Sequence, residues 1–343
     1  MGAPCSAPRT STMNLPLRTI GPFQVAGIGL GCMNLSHAYG TPPTPEEGAK
    51  LLLHALEHGV TLFDTAPLYG FGTNEKLVGD ALASHRASFT LATKAGMYGI
   101  DGRRVIDGRP QTIKEQMDQS LLRLRTDCVD LLYLHRWDKK VPIEDSVGAM
   151  GDLVREGKAR ALGLSEVSAE RILQAHAVHP IAAVQTEYSL WTRNAEIAVL
   201  EACRSIGAAF VAFSPLARGW LTNTLVPSEF TASDLRRGMP RFQANTFAQN
   251  QLILEEFVRV ATDAGCTPAQ LALAWLLNRA PHVIPIPGTR SAAHFDENMG
   301  AITLRLDGSC MQRLEQLFKV GRIAGPRYPA ATQAEIDTEE FAS

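Results

Sequence analysis

Residues 129–136 read Val-Asp-Leu-Leu-Tyr-Leu-His-Arg. Five of the first six residues are apolar, and the polar pair His135 and Arg136 follows at once. A short, nearly continuous apolar run that stops at polar residues is typical of a strand buried on both faces of a parallel sheet. The sequence therefore predicts a buried strand whose C-terminal end presents His135.

Similar apolar runs recur along the chain, and segments with helical periodicity separate most of them. Seven further runs share this character, at residues 29–32, 60–63, 89–92, 160–164, 181–184, 208–213 and 282–286. Strands that alternate with helices predict a parallel sheet, and eight is the number of strands that closes a (β/α)8 TIM barrel. We therefore expect an α/β fold with one such barrel.

The segments between the runs carry helix signals. Thr44 offers an N-cap, Pro45 suits the first turn, Glu47 completes a capping box and Gly59 marks the end. Two more helices show one apolar stripe each, formed by Ile113, Met117, Leu121 and Leu124 and by Val147, Met150, Leu153 and Val154. Helices with a single buried stripe suit the outer layer of a barrel.

Irregular segments lie inside the barrel sequence and at both of its ends. We predict a flexible N-terminal tail at residues 1–14, a single barrel domain at residues 15–320 and a C-terminal tail at residues 321–343, which looks loop-like and partly disordered. Residues 215–250 are largely polar and contain two glycines, Gly219 and Gly238. Compact domains usually keep such a long loop as a lid or binding element.

The composition excludes several classes of protein. The 343 residues are 45% hydrophobic and 20% charged, as in ordinary soluble proteins, and 33 Lys and Arg against 35 Asp and Glu leave no basic excess for nucleic acid. Six scattered cysteines without a Cys-x-x-Cys pair argue against a disulfide framework or a structural zinc site and favour the cytoplasm. No apolar stretch is long enough to span a membrane. We expect a small-molecule ligand, and the sequence does not indicate the oligomeric state.

Polar residues stand at the C-terminal end of most predicted strands. They are Asp64, Lys94, His135, Ser165 with Glu166, Gln185 with Tyr188, Ser214, and Gly288 with Thr289 and Arg290. In a barrel these positions meet on one rim, which is where the active sites of such enzymes lie. The pattern therefore predicts an active site at this rim.

Tyr69 follows Asp64 by five residues and has acid–base chemistry to offer. A neighbouring Lys ammonium favours the phenolate of a tyrosine, and an Asp paired with that Lys holds it charged and oriented. Such a tyrosine can act as a general acid at neutral pH. His135 supplies a hydrogen-bond donor that helps to polarise a substrate carbonyl.

Together these residues resemble a known family, because Asp64, Tyr69, Lys94 and His135 look like the catalytic tetrad of the aldo-keto reductases. The resemblance extends over residues 20–318 and includes the segments 29–33, 93–94, 134–136, 163–165, 184–188, 213–216 and 285–290. It implies reversible hydride transfer between NADP(H) and a small aldehyde or ketone, or a sugar in the oxidative direction. Tyr69 would be the proton donor.

The resemblance also implies a set of cofactor-binding residues. They are Asp64, Ser165, Gln185, Phe213, Ser214, Leu216, Arg218, Gly288, Thr289, Arg290, His294, Glu297 and Asn298. In this set Gln185 contacts the nicotinamide carboxamide and Phe213 stacks on the ring. The loop 215–250 covers the pyrophosphate, while Glu297 and Asn298 reach the adenine.

The sequence departs from the family pattern at two positions. Glu166 follows Ser165 where Asn is common, as in the pyridoxal-reductase-like branch, so a contact between this side chain and the carboxamide is in doubt. His294 stands where many members carry Arg on the 2′-phosphate. A neutral His binds phosphate less strongly than a bidentate Arg, so the preference for NADP rests mainly on Arg290. NAD(H) is the alternative cofactor.

Two further groups of residues have competing interpretations. The rim positions of Cys32, Met33, Trp137 and Trp191 suggest a role in the substrate pocket, although packing explains them too. The pentapeptide from His54 to His58 matches an inverted zinc-peptidase motif. Because His54, Glu57 and His58 lie opposite the apolar stripe of their helix, we expect a solvated face and no metal.

Two other classes of function compete with a carbonyl reductase. One is a redox-sensing NADP(H)-binding subunit similar to the β subunits of potassium channels, which resemble the same family. The other is a metal-dependent barrel hydrolase, which needs several His and carboxylate ligands at the strand ends. The rim offers mainly Asp64 and His135 for that purpose, and Lys94 lies between them.

Overall fold

A computed structural model describes residues 15–341 of the chain. The strands within this range are β1 (Leu17–Ile20), β2 (Phe23–Ala26), β3 (Leu30–Gly31), β4 (Leu62–Asp64), β5 (Thr90–Ala95), β6 (Met97–Ile100), β7 (Arg103–Ile106), β8 (Val129–Leu134), β9 (Ala159–Ser165), β10 (Ile181–Glu187), β11 (Ala209–Phe213) and β12 (Val283–Pro285). The α-helices are α1 (Pro45–Glu57), α2 (Thr73–Leu82), α3 (Pro110–Leu124), α4 (Ile143–Arg155), α5 (Ala169–Val178), α6 (Val199–Ser205), α7 (Ala244–Asp263), α8 (Pro268–Arg279), α9 (Ala292–Met299), α10 (Gly308–Leu317) and α11 (Ala330–Gln333).

Eight of the strands form one parallel sheet, in the order β3, β4, β5, β8, β9, β10, β11 and β12. The two edges of this sheet meet, because the Gly29 N–H donates to the Pro285 carbonyl at 3.0 Å and the Gly31 N–H to the Pro287 carbonyl at 3.3 Å. A β-carbon at Gly31 would lie 2.9 Å from the carbonyl oxygen of Ile286, so the close approach requires glycine. The predicted (β/α)8 barrel is confirmed, and each predicted run overlaps one of its strands.

The helices surround the barrel and begin where their sequences indicate. Helix α1 has the capping box between Thr44 and Glu47, and Gly59 follows the helix with a φ of +87°. One apolar core lies between the helices and the sheet, and a second fills the barrel interior. Ile20, Phe23 and other residues of the antiparallel β1–β2 hairpin belong to this interior core. The hairpin therefore closes the barrel at the N-terminal ends of the strands.

Several features differ from the sequence prediction. Helix α7 begins at Ala244, so the long predicted loop ends before residue 250. A hairpin of β6 and β7 follows β5 and was not predicted from the sequence. Residues 321–341 have little regular structure, as expected, but the expectation of partial disorder is wrong because this segment packs against the barrel through buried Arg327 and Tyr328.

Three other predictions concern membrane spans, cysteines and the N-terminal tail. Among residues 15–341, no helix is long and apolar enough to cross a membrane. Within the same range five cysteines are present and all are free thiols. The predicted flexible tail at residues 1–14 lies outside the described part of the chain.

Candidate active site

Asp64, Lys94 and Tyr69 come together at the C-terminal rim. Asp64 ends β4 and Lys94 lies near the end of the neighbouring strand β5, so the barrel places the two side chains side by side. Lys94 Nζ lies 2.5 Å from Asp64 Oδ1 and donates to the carbonyl of Thr65 at 2.9 Å. The same Nζ is 5.0 Å from the centre of the Tyr69 ring. The predicted acid–base group is therefore assembled in the structure.

The protonation of this group follows from burial and charge. Burial raises the pKa of Tyr69 above its ordinary value, and Lys94 opposes this shift without reversing it. Burial alone would lower the pKa of Lys94, but Asp64 and Tyr69 raise it further, so the net pKa lies above its usual value. Lys94 thus acts on Tyr69 in the expected direction, but burial outweighs its effect. At neutral pH Tyr69 keeps its proton and Lys94 is charged.

His135 follows β8 and faces Tyr69. The two rings lie edge to face, with centres 5.9 Å apart. Burial lowers the pKa of His135 well below its ordinary value, and the positive charges of Arg136 and Lys94 lower it further. The ring is therefore neutral at physiological pH. Its Nδ1 is buried and has no hydrogen-bond partner among residues 15–341.

Gln185 and Ser165 lie on the strands β10 and β9. Gln185 Nε2 donates to Asp64 Oδ2 at 2.7 Å, so Asp64 accepts from Lys94 on one oxygen and from Gln185 on the other. Ser165 Oγ accepts from Arg136 Nη1 at 3.1 Å. Both residues predicted for the nicotinamide end are buried, and Gln185 belongs to the same hydrogen-bonded group as Asp64.

The loop that follows β11 has an unusual backbone. Ser214, Ala217 and Arg218 all have positive φ values, between 48° and 58°. Such conformations cost energy for residues other than glycine and concentrate at ligand-binding sites. Phe213 and Leu216, the other residues predicted for this part of the cofactor site, are partly buried.

The guanidinium of Arg218 is already bound within the protein. It donates to Glu187 Oε2 at 2.6 Å, to the Tyr328 hydroxyl at 2.8 Å and to the Tyr39 hydroxyl at 3.0 Å. The predicted contact between Arg218 and the pyrophosphate would require this side chain to move or to share its donors.

The residues predicted for the adenosine end cluster at the start of α9. Ser291 caps this helix and accepts from the backbone N–H of His294, and Arg290 just before the cap donates to the carbonyl of Thr41. The positive end of a helix together with Arg290 suits an anion such as the 2′-phosphate of NADP. A β-carbon at Gly288 would lie 2.8 Å from Asn34 Oδ1, so the chain is packed tightly here.

The remaining cofactor predictions lie in the same region. Thr289 and Asn298 are buried, Glu297 is half-buried and His294 is exposed. Their roles at the adenosine end of the cofactor stay predictions.

Comparisons with known proteins show the family of the chain. The sequence model described as the Aldo/keto reductase family matches residues 27–319. The chain belongs to the aldo/keto reductase family.

Two similar sequences are named as aldo-keto reductases. A probable aldo-keto reductase 1 of Glycine max is 40% identical over 311 residues, which cover 89% of each chain. The aldo-keto reductase yakc [NADP(+)] of Schizosaccharomyces pombe is 38% identical over 94% of this chain and 97% of its own.

Solved structures extend the comparison. A glycerol dehydrogenase from Gluconobacter oxydans superimposes with a TM-score of 0.81 at 28% identity, covering 92% of this chain and 98% of the other. An aldo/keto reductase from Klebsiella pneumoniae, solved in complex with NADP and acetate, gives a TM-score of 0.69 at 26% identity, covering 91% and 97%.

The four residues predicted for the substrate pocket of this aldo/keto reductase differ in burial and in the contacts that they make. Cys32 is fully buried, Met33 is half-buried in a short 3₁₀ turn, and Trp137 is half-buried with its Nε1 donating to the carbonyl of Val141 at 2.9 Å. Trp191 stacks on Trp220 with ring centres 4.7 Å apart, inside the outer core. The structure thus gives Trp191 a packing role, and the pocket role of the other three stays a prediction.

Glu166 has a clear structural partner that the sequence did not suggest. Arg327 Nη1 donates to Glu166 Oε2 at 2.9 Å and Nη2 donates to Oε1, while Thr338 Oγ1 also donates to Oε2 at 2.8 Å. Burial alone would raise the pKa of Glu166, but Arg327 lowers it below the ordinary value. Glu166 therefore remains charged and attaches the segment 321–341 to the rim.

A second carboxylate strengthens this attachment. Glu187, which ends β10, accepts from Arg327 Nε at 3.2 Å and from the Tyr328 hydroxyl at 3.0 Å, in addition to Arg218. We call Glu166, Glu187, Arg218, Arg327 and Tyr328 the rim network. The sequence does indicate two acidic residues, Glu166 and Glu187, at the ends of neighbouring strands. Buried carboxylates need cationic partners, but the spacing of the sequence does not show where those partners lie.

Proposed function

We propose that this aldo/keto reductase is an NADP(H)-dependent oxidoreductase of the EC 1.1.1 type that reversibly reduces small aldehydes or ketones to alcohols. The observation that carries the proposal is the group at the C-terminal rim that buried Asp64, Lys94 and His135 form with half-buried Tyr69. The family membership supports an oxidoreductase. The name of the yeast relative and the NADP-bound structure from Klebsiella pneumoniae support the cofactor.

In the direction of reduction, the chain supplies a proton and a polarising hydrogen bond. When bound, the dinucleotide supplies the hydride. Tyr69 holds its proton at neutral pH and donates it from its hydroxyl to the developing alkoxide. Neutral His135 donates a hydrogen bond to the same carbonyl oxygen, and buried donors of this kind stabilise developing negative charge strongly.

Lys94 and Asp64 prepare Tyr69 for this step. The ammonium of Lys94 stabilises the phenolate that remains after proton transfer, and Asp64 keeps that ammonium charged and fixed in place. In the direction of oxidation the same phenolate accepts the proton of the alcohol. The acid and the base of the reversible reaction are therefore one residue in two protonation states.

Further parts of the proposal concern the cofactor, the substrate and the cellular compartment. We place the 2′-phosphate at Arg290 and the start of α9, and this arrangement favours NADP(H) over NAD(H). The substrate is a small carbonyl compound whose identity is set by the rim loops. We propose that the reaction takes place in the cytoplasm, in keeping with the free thiols of the described chain.

The test compares two tyrosines, half-buried Tyr69 at the rim and fully buried Tyr133 in the barrel interior. Tyr69→Phe removes the proposed proton donor, whereas the control Tyr133→Phe removes a hydroxyl that has no hydrogen-bond partner among residues 15–341. General acid catalysis contributes about 10²- to 10⁴-fold to a rate. We expect Tyr69→Phe to lower kcat by that factor for a panel of aldehydes and ketones, with NADPH binding by fluorescence titration nearly unchanged.

The control should keep most of its activity. Full turnover by Tyr69→Phe with any carbonyl substrate would contradict the proposed mechanism. Equal losses in both variants would show that the effect comes from packing and not from the proton.

A further inference from the structure

A cluster of His54, His58 and Asp296 lies on the outside of the barrel, between α1 and α9. The sequence suggested a solvated face for the histidines of α1. That expectation is wrong for His54 and His58, which are half-buried against α9, while Glu57 is exposed. Residues four apart on a helix lie on the same face, so the two imidazoles point in one direction.

The three side chains have the spacing of a metal site. One potential ligand atom from each residue lies within 4.8 Å of those of the other two. His54 Nε2 is 2.7 Å from Asp296 Oδ1, and the two imidazole rings are 3.9 Å apart between centres. The Phe295 ring lies edge to face with both imidazoles, with its centre 5.4 Å from that of His54 and 6.4 Å from that of His58. These contacts limit the rotation of both imidazole rings.

The hydrogen bonding of His58 fixes its tautomer. Its Nδ1 lies 2.7 Å from the carbonyl oxygen of His54. A carbonyl oxygen only accepts, so Nδ1 carries the proton and the lone pair of Nε2 is free. Metal-binding histidines are usually held in this way, with one ring nitrogen on a backbone carbonyl and the other on the metal.

The contact between His54 and Asp296 can exchange a proton for a metal ion. The ionised carboxylate accepts, so the proton of this pair resides on His54 Nε2. An ion that replaces it would bind the Nε2 lone pair and the carboxylate oxygen, and the proton would move to Nδ1 or to solvent. Two imidazoles and one carboxylate form a ligand set that zinc and similar divalent ions accept, with water in the remaining position.

We propose that His54, His58 and Asp296 bind one divalent transition-metal ion, of which zinc is the best match, and thereby fasten α9 to α1. The site lies outside the tetrad and needs none of its residues. The reaction proposed above therefore does not depend on it.

The experiment uses the full chain without an affinity tag, stripped of metal with a chelator and dialysed. Calorimetric titration with Zn²⁺ should show one ion per chain, and thermal melting should shift upward when Zn²⁺ is added. Co²⁺ should give visible absorption bands without the near-ultraviolet charge-transfer band of a thiolate ligand, which distinguishes this site from binding at the free cysteines.

Variants locate the ion. His58→Gln and Asp296→Asn should each weaken Zn²⁺ binding by at least about 10- to 100-fold and remove the thermal shift, while circular dichroism shows that they stay folded. The matched control is His85→Gln, which changes an exposed histidine outside the cluster and should leave binding unchanged.

Three outcomes would overturn the proposal. They are the absence of saturable binding to the folded wild-type chain, equal affinity in wild type and both cluster variants, or the same loss of affinity in His85→Gln.

Discussion

Arg327→Met tests whether the rim network holds the segment 321–341 against the barrel. Methionine has a similar length and no charge, so the substitution removes the cation and retains most of the apolar volume. Glu187 keeps Arg218 as a partner, but Glu166 loses the guanidinium that binds both of its oxygens. Thr338 and the Glu187 N–H, which lie 2.8 and 2.9 Å from the carboxylate, do not neutralise its charge.

The magnitude follows from the burial of the pair. Arg327 is 5% exposed and Glu166 is 1% exposed, so water does not screen the remaining charge. Removing one partner of a buried ion pair costs about 3–5 kcal/mol. The segment can detach without unfolding the barrel, so this cost should increase the population of its detached state by about 100- to 4,000-fold.

Hydrogen exchange measured by mass spectrometry follows this population directly. Peptides from residues 321–341 should exchange faster by that factor in Arg327→Met, and peptides from β8 and β9 should exchange at the wild-type rate. Glu166→Gln in the Arg327→Met background removes the unpaired charge and should restore much of the protection. An increase below about tenfold, or no restoration by the second substitution, would refute the reasoning.

Three further predictions concern acid stability, barrel closure and the cofactor. The pKa of Glu187 is lowered from 4.5 to about 2 because Arg218, Arg327 and Arg241 outweigh its burial. The ionised carboxylate therefore stabilises the fold fully above pH 4.5, and up to about 3 kcal/mol of this stability should be lost as the pH falls from 4.5 towards 2. Urea titrations of Glu187→Gln should not show this loss. Gly31→Ala should destabilise the barrel by about 1–3 kcal/mol in the same assay, because its β-carbon would meet a backbone oxygen, whereas Gly148→Ala in the open part of α4 should be neutral or stabilising. Arg290→Ala should raise the Kd for NADPH by about tenfold or more and leave that for NADH nearly unchanged; equal effects on both cofactors would remove Arg290 from the 2′-phosphate.

The sequence predicts the barrel well because each strand and helix carries a local signal. The run from Val129 to Leu134 is apolar throughout except for Asp130, and it forms a strand over the same residues. The Thr44 capping box likewise appears where its residues require it. The predicted loop 215–250 extends too far because helix α7 begins at Ala244 without a side-chain cap from Gln243, so the sequence carries no clear start signal there.

The grouping of the candidate site was predictable where its residues lie at or near the ends of strands. Asp64, Lys94 and His135 each end or follow a buried strand, so a barrel necessarily brings them to one rim. The rim network was not predictable in the same way, because Arg327 lies 161 residues from Glu166 and in a segment without periodicity. Long-range pairing of buried charges depends on the final path of the chain, which local patterns do not encode.

The way in which β3 closes the barrel has a consequence for synthesis of the chain. On one side β3 pairs with β4, and only helix α1 and its loops separate the two strands in the sequence. Its other partner is the segment around Pro285, more than 250 residues later in the chain. The ribosome adds about 5–20 residues per second, so that edge of β3 stays unpaired for roughly 13–50 s before its partner has been synthesised. An unpaired edge invites association with other chains. β3 is only two residues long, with Gly29 before it and Gly31 as its last residue, so it offers a nascent neighbour very little to pair with.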